Sequence, residues 1–213
     1  LLSHIFHFNN VNVSYLYGGI TTFNGIGGHY GDPDQPLILE TDEAFNTFEK
    51  IKISDLLVLN VDSDHLDYFK NLDNYKDAFY KVMKNVTDNL VINNDDLNIK
   101  SMKELKNPVS YGKDISADFK VQSPGTFIYE NNKYEIKSDI IGDHFKSNML
   151  GAIILALLNG IEIKDSLNAI ESFAGVKRRI ELIGISKGVL IYDDYGHHPT
   201  EMEATITALK QQT

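Results

Sequence analysis

The chain has 213 residues, 42% of them hydrophobic, and a formal net charge of -10. That length supports a real core in one to two domains, and the acidity argues against a nucleic-acid partner held through its phosphates. There is no Cys, which excludes a disulfide framework and a thiolate metal site, and the longest apolar run, residues 152–158, is far too short to span a membrane.

Residues 1–8 follow a helical pattern, as the end of a helix would, and residues 11–17 alternate and read as a strand. Residues 18–36 are dense in Gly and turn formers, a loop long enough to be functional or mobile. Within it, Gly25-Ile26-Gly27-Gly28 lacks the Lys that a phosphate loop needs and reads as structural. Two short apolar strands follow, at 36–39 and 56–61, and each runs into an acid-rich tip. The tips are Glu40-Thr41-Asp42-Glu43 and Asn60-Val61-Asp62-Ser63-Asp64-His65-Leu66-Asp67. Carboxylates at strand ends are costly to bury without a cation or donor, and carboxylate oxygens with retained water suit Mg²⁺. The two strands are expected to be neighbours in one sheet, their tips sharing an edge and a metal site. Two solvated acidic loops are the plainer alternative.

Residues 72–86 place Leu72, Tyr75, Phe79, Met83 and Val86 on one helical face, which reads as core. A strand at 90–92 and a helix at 95–105 come next. Three alternating runs, 118–122, 125–130 and 133–137, with Asn131-Asn132 as a hairpin signal, predict a small antiparallel patch on the main sheet. Gly142-Asp143-His144 opens a long apolar helix through Leu158, with His144 and Asn148 on its first-turn face. An Asn amide suits a purine edge, although such polar pairs are also ordinary at helix starts. After an amphipathic helix at 164–173 comes Gly175-Val176-Lys177-Arg178-Arg179-Ile180-Glu181, whose Arg forks suit phosphate. Residues 183–187 read as a linker into a buried strand, 188–192. That strand ends in Asp193-Asp194-Tyr195-Gly196-His197-His198-Pro199-Thr200-Glu201, and a helical pattern at 202–209 follows. Pro199 suits a first helical position. Two carboxylates at a strand end and two imidazoles before a helix mark the crevice where α/β sheets bind ligands. A capped turn would account for Asp and Gly but has no need of paired His.

The string 193–201 resembles the Mur ligase family, and within it the branch that adds L-alanine to UDP-N-acetylmuramate. The peptide-recycling branch usually has Phe-Ala where this chain has Tyr195-Gly196. Further likenesses are the acidic tips at their constant interval, Gly-x-His at 142–144 with Asn148, and Gly-Val-Lys-Arg-Arg at 175–179. The chain departs from the family at Ala44-Phe45, where Ser-Asp is usual, and at Phe145, where Asn is usual.

The resemblance implies an α/β fold. A central ATP-binding domain, residues 1–180, would have a mainly parallel sheet flanked by helices, and residues 181–213 would begin a Rossmann-like C-terminal domain. It implies a ligase of peptidoglycan synthesis that uses ATP and Mg²⁺ on UDP-N-acetylmuramate and L-alanine, through an acyl phosphate; with no signal peptide visible, a cytoplasmic location is the default expectation. No nucleic-acid or membrane partner is implied. Its family phosphate loop is expected before Leu1. By resemblance, Glu40 and His65 hold Mg²⁺ with support from Asn60 and Asp64. His144 and Asn148 lie at adenine, Arg179, and after it Arg178, reaches the nucleotide, and Asp194 orients the ribose. His197 and His198 lie near the acyl phosphate or the alanine. A recycling ligase, or a nucleotide- or metal-binding module without turnover, are the alternatives.

Overall fold

The computed structural model describes residues 1–20, 25–102 and 105–211. In chain order, α1 (Leu2–Phe8) leads to β1 (Ser14–Leu16), β2 (Gly28–His29) and β3 (Leu37–Leu39). A 3₁₀ segment, Ala44–Lys50, precedes β4 (Asp55–Val58), α2 (Leu66–Phe69), α3 (Leu72–Lys84), β5 (Asn89–Asn93) and α4 (Leu97–Lys100). Then come β6 (Val109–Gly112), β7 (Phe119–Ser123), β8 (Thr126–Tyr129), β9 (Asn132–Glu135), α5 (Asp143–Leu158) and α6 (Ile163–Glu171). The chain closes with β10 (Glu181–Ser186), β11 (Val189–Asp193) and α7 (Pro199–Lys210).

The main sheet has six strands in the order β4-β5-β6-β7-β8-β9. Strands β4 to β7 pair in parallel, and β8 and β9 extend the sheet antiparallel. This is the expected mainly parallel sheet with its antiparallel patch. Alternation along β5 sends Val91 to one face and Leu90 and Ile92 to the other. On the first face, α5 lies buried along residues 149–156 and is covered in turn by α1 and α6. A helix apolar all round needs such enclosure. On the second face, α3 turns Tyr75, Ala78, Val82 and Met83 inward. Its N-terminus is capped by Asn71, which accepts the Asn74 amide at 2.9 Å.

The structure corrects several expectations. Strands β3 and β4 are not neighbours: β3 pairs in parallel with β1 in a separate sheet ordered β2-β1-β3, whereas β4 is an edge of the six-stranded sheet. β6 was not foreseen, since its four residues include Ser110 and Gly112 and carry little β signal. The helix expected at 95–105 is one turn, α4, capped by Asp96; residues 103–104 lie outside the described set. The β8–β9 turn is centred one residue earlier than read, on Glu130 and Asn131 with φ of 49° and 63°, the signature of a two-residue hairpin loop. Leu72 is 37% exposed rather than core.

The largest correction concerns the C-terminal part. Residues 183–187 are no linker: 183–186 belong to β10, which pairs antiparallel with β11 through a turn at Lys187 and Gly188. Nor is the strand at 188–192 buried: Val189, Leu190 and Ile191 are exposed, because a two-stranded hairpin has no second layer over it among the described residues. Helix α7 begins at Pro199, as read.

Candidate functional site

Asp194 organises one wall of the site. Its Oδ2 accepts the Ile180 amide and its Oδ1 the Gly196 amide, each at 2.8 Å. The first bond ties the end of β11 to the basic turn; the second folds the 194–198 loop back on itself. The basic turn is strained, with Arg178 and Ile180 at φ of 59° and 50°, a conformation a β-branched residue adopts only when held there. The Tyr195 amide donates to the Arg178 carbonyl at 2.8 Å. The guanidinium carbons of Arg178 and Arg179 lie 5.0 and 5.8 Å from the Tyr195 ring centroid, within cation–π range. Arg178 also faces Asp193 at 3.3 Å, an exposed pair of little energetic weight.

The N-terminus of α5 supplies the opposite wall. Gly142 has φ of 115°, and a Cβ there would lie 2.7 Å from the His144 ring, so only Gly opens this helix without displacing His144. Burial pulls His144 below the ordinary imidazole range; Asp194 and Asp143 pull it back up and Arg179 presses it down. Residues 35 to 50 positions apart in sequence therefore sense one another electrostatically here. The departure residue Phe145 packs its ring 4.2 Å from that of His144.

A cleft of about 2370 Å³ joins these walls. Glu40, His144, Asn148, Arg178, Arg179, Asp194, His197 and His198 all line it, as do Asn60 and Asp64; His65 does not. The acidic tips are arranged differently from the simplest reading. Glu40 turns its Oε2 to the Gly18 amide at 2.7 Å. His65 instead groups with Asp42 and Glu43, whose ligand atoms all lie within 4.8 Å of one another. Its Nε2 is 3.9 Å from both Glu43 and Asp64. Glu43 is steadied by the buried Tyr75 hydroxyl at 3.3 Å, and Asp42 accepts the Ala44 amide at 2.8 Å. The oxygens of Asp42 and Glu43 are the donor type Mg²⁺ takes, and the His65 nitrogen is one it takes reluctantly.

The second tip meets the C-terminal part directly. The Thr200 hydroxyl donates to Asp62 Oδ2 at 2.6 Å, and His198 Nε2 donates to the Ser63 carbonyl at 3.2 Å. The Thr200 hydroxyl holds the Asp62 carboxyl below the usual carboxylate range. Reading the sequence singled out neither Asp42, Glu43, Asp62 nor Thr200, though all four stand inside strings it quoted.

Comparison with known sequences and structures places this architecture. The sequence model of the Mur ligase middle domain matches residues 42–156, and that of the Mur ligase glutamate ligase domain matches residues 178–213. The chain belongs to the Mur ligase family. It is 36% identical to the UDP-N-acetylmuramate–L-alanine ligase of Clostridium botulinum (strain Hall), an alignment covering 99% of this chain and 49% of that protein. It is 34% identical to the enzyme of that name from Dictyoglomus turgidum, over 95% of this chain and 46% of that one. It thus spans about half the length of these relatives. Among solved structures, the UDP-N-acetylmuramate–alanine ligase of Thermotoga maritima superposes with a TM-score of 0.80 at 23% identity, covering 98% of this chain and 50% of that one. A MurF ligase from Thermotoga maritima in complex with ADP has a TM-score of 0.69 at 21% identity, covering 98% of this chain and 53% of that one. The Mur ligase fold is thereby shared across members of low identity. No helix among the described residues is long and apolar enough to cross a membrane.

Proposed function

We propose that the protein containing this chain is a cytoplasmic, ATP-dependent ligase that joins L-alanine to UDP-N-acetylmuramate in peptidoglycan synthesis. The observation that carries this reading is the meeting of His144, Arg179 and Asp194 on one cleft from three distant segments. Residues 1–180 act as the ATP-binding domain and 181–213 begin the C-terminal domain.

In this reading His144 and Asn148 take the purine. Burial favours the neutral form of the His144 ring, which offers one donor and one acceptor, and the Asn148 amide adds both. Arg179, with Arg178 beside it, neutralises charge on the phosphates, and phosphoryl transfer depends mainly on such positioning and neutralisation. A carboxylate oxygen of the muramyl group attacks the γ-phosphorus and ADP leaves. The alanine nitrogen then attacks the acyl carbon, phosphate departs with the C–O bonding electrons, and the nitrogen gives up a proton. Asp194 keeps lone pairs beyond its two amide bonds, enough to accept from a ribose hydroxyl. His198 Nε2 is engaged with the Ser63 carbonyl and His197 Nδ1 faces the Tyr195 carbonyl at 3.4 Å; the exposed His197 ring is the one that reaches toward the acyl phosphate or the alanine. Asp42, Glu43 and His65 would hold Mg²⁺, with Glu40 a further carboxylate on the cleft outside that group; the bound ion would supply neutralisation of phosphate charge.

The test is phosphate release from UDP-N-acetylmuramate, L-alanine, ATP and Mg²⁺ by the full-length protein. Turnover dependent on both acceptor and L-alanine is expected; turnover with a peptide but not L-alanine would assign the recycling branch. None at all, with folding confirmed, would leave a binding module. The 213-residue chain alone is expected to be silent, because it contains no Gly-rich loop with the Lys that cradles a triphosphate.

A further inference from the structure

We propose that Asp62 and Thr200 form a latch that seats the His197–His198 loop over the cleft, which makes both of them positioning residues; this rests on the ligase reading above. Asp62 lies within the segment matched by the middle-domain model, and Thr200 within that matched by the C-terminal model. Their hydrogen bond, 138 positions apart in sequence, therefore joins the two family domains. At 2.6 Å to a carboxylate it belongs to the short, charge-assisted class.

The way α7 begins supports a dedicated contact. His198 is its N-cap residue, yet no side-chain cap bond is made. Its ring turns outward instead, with Nε2 on the Ser63 carbonyl and Nδ1 3.8 Å from Asp62 Oδ2. Thr200, in the first turn, also gives its hydroxyl to Asp62 rather than to its own helix. A carboxylate supplied from the other domain thus stands at the helix N-terminus, where the dipole favours negative charge.

The consequence falls on His197. On one side of it, Gly196 is fixed by Asp194. On the other, His198 and Thr200 are fixed by Ser63 and Asp62. The backbone of His197 is clamped at both ends while its side chain remains exposed at the cleft. Release of the latch frees one end of that clamp, without touching the His144–Asn148 side where the purine is placed.

The experiment uses the full-length protein with spin labels on K81C in α3 and E203C in α7, both exposed positions. Steady-state kinetics are run beside the interdomain distance measurement. Thr200→Val removes the hydroxyl at nearly constant shape. It is expected to lower kcat about tenfold, the loss of one hydrogen bond to a charged group, with KM for ATP within about twofold. The interdomain distance distribution should broaden. Thr200→Ser should restore both readouts. Asp62→Ala should match Thr200→Val, and the double variant should be no worse than either single one. Asp62→Asn keeps an acceptor and should rescue in part, which guards against a folding defect in the Ala variant. Wild-type kcat and distance in Thr200→Val would overturn the latch, as would losses that multiply in the double variant. A wild-type protein that fails to ligate would overturn the ligase reading instead, and the distances would still decide the latch.

Discussion

Strands β5 and β11 are nearly the same object in sequence. Each has five residues, and each carries Leu with Val and Ile: Leu90-Val91-Ile92 in one, Val189-Leu190-Ile191 in the other. In β5 all three are buried; in β11 all three are exposed, Val189 to 63%. An apolar β-branched run specifies an extended strand, but burial is set by the layers on either side. β5 has α5 on one face and α3 on the other. β11 has β10 beside it in a two-stranded sheet, and the loop after it is held by a few polar bonds, those of Asp194 and of the Asp62–Thr200 seam. One region is stabilised from within and the other from its border, and each prediction below presses on that difference.

The largest effect is expected inside. Val91→Thr keeps the shape of a side chain that is 0% exposed but buries a hydroxyl among aliphatics. It should cost about 1–3 kcal/mol of global stability, read as a lower urea midpoint at unchanged slope. An unchanged midpoint would mean that the sheet opens at β5 more readily than its burial implies.

Asp194→Ala attacks the border. It strips the acceptor from two backbone amides at once, one of them on Ile180, which needs support for its left-handed φ. Global stability should move by less than about 1 kcal/mol, since Asp194 lies outside both hydrophobic clusters. Hydrogen exchange at the Ile180 and Gly196 amides should nevertheless accelerate by roughly tenfold or more. Equal acceleration at Val91 would show that the border and the core unfold as one unit.

How much of this was legible follows the same division. The 3.6-residue spacing of α3, the enclosed apolar run of α5 and the Asn-bearing turn of the β8–β9 hairpin are local signals, and each element formed where it was read, the turn within one residue. β10 was misread as a linker because Gly184 interrupts it and its apolar residues do not alternate with polar ones. The site strings converge in space: one cleft gathers His144, Asn148, Arg179 and Asp194. Their pairings were not legible. Nothing near Asp62 announces Thr200, and nothing in the acid tips says that Glu43 rather than Glu40 groups with His65. Long-range partners are fixed by topology, and the assumed adjacency of β3 and β4, on which the metal pairing had rested, is absent.

A smaller effect comes from pH. Burial lowers the His144 pKa in the folded chain below its ordinary 6.5. The unfolded chain then binds more protons than the folded one as pH drops past 6.5, so stability is full above that value and declines as pH falls toward the folded pKa. His144→Gln should flatten this part of the stability profile relative to wild type. Because the ring is only half buried, the difference should be modest. A profile of unchanged slope would place the titration elsewhere, with His4, whose pKa burial also lowers, as the next group to replace.

The smallest effect tests the comparison most directly. Val189→Thr is the same isosteric change as Val91→Thr, made in the twin strand. The new hydroxyl reaches water, so nothing polar is buried and no cavity forms. Thr is as good a strand residue as Val on a solvated face, and the pairing of Ser186 with residue 189 uses backbone groups that the change leaves alone. Stability of the 213-residue chain should stay within about 0.5 kcal/mol of wild type. What should change is association. Leu182, Ile183, Ile185, Val189, Leu190 and Ile191 together expose apolar surface on a hairpin whose β11 edge lacks a further strand among the described residues. Such a surface promotes self-association. Light scattering over a concentration series should show less self-association for Val189→Thr than for wild type. A cost approaching that of Val91→Thr would instead mean that β11 is covered in solution, and the contrast between the two strands would be lost.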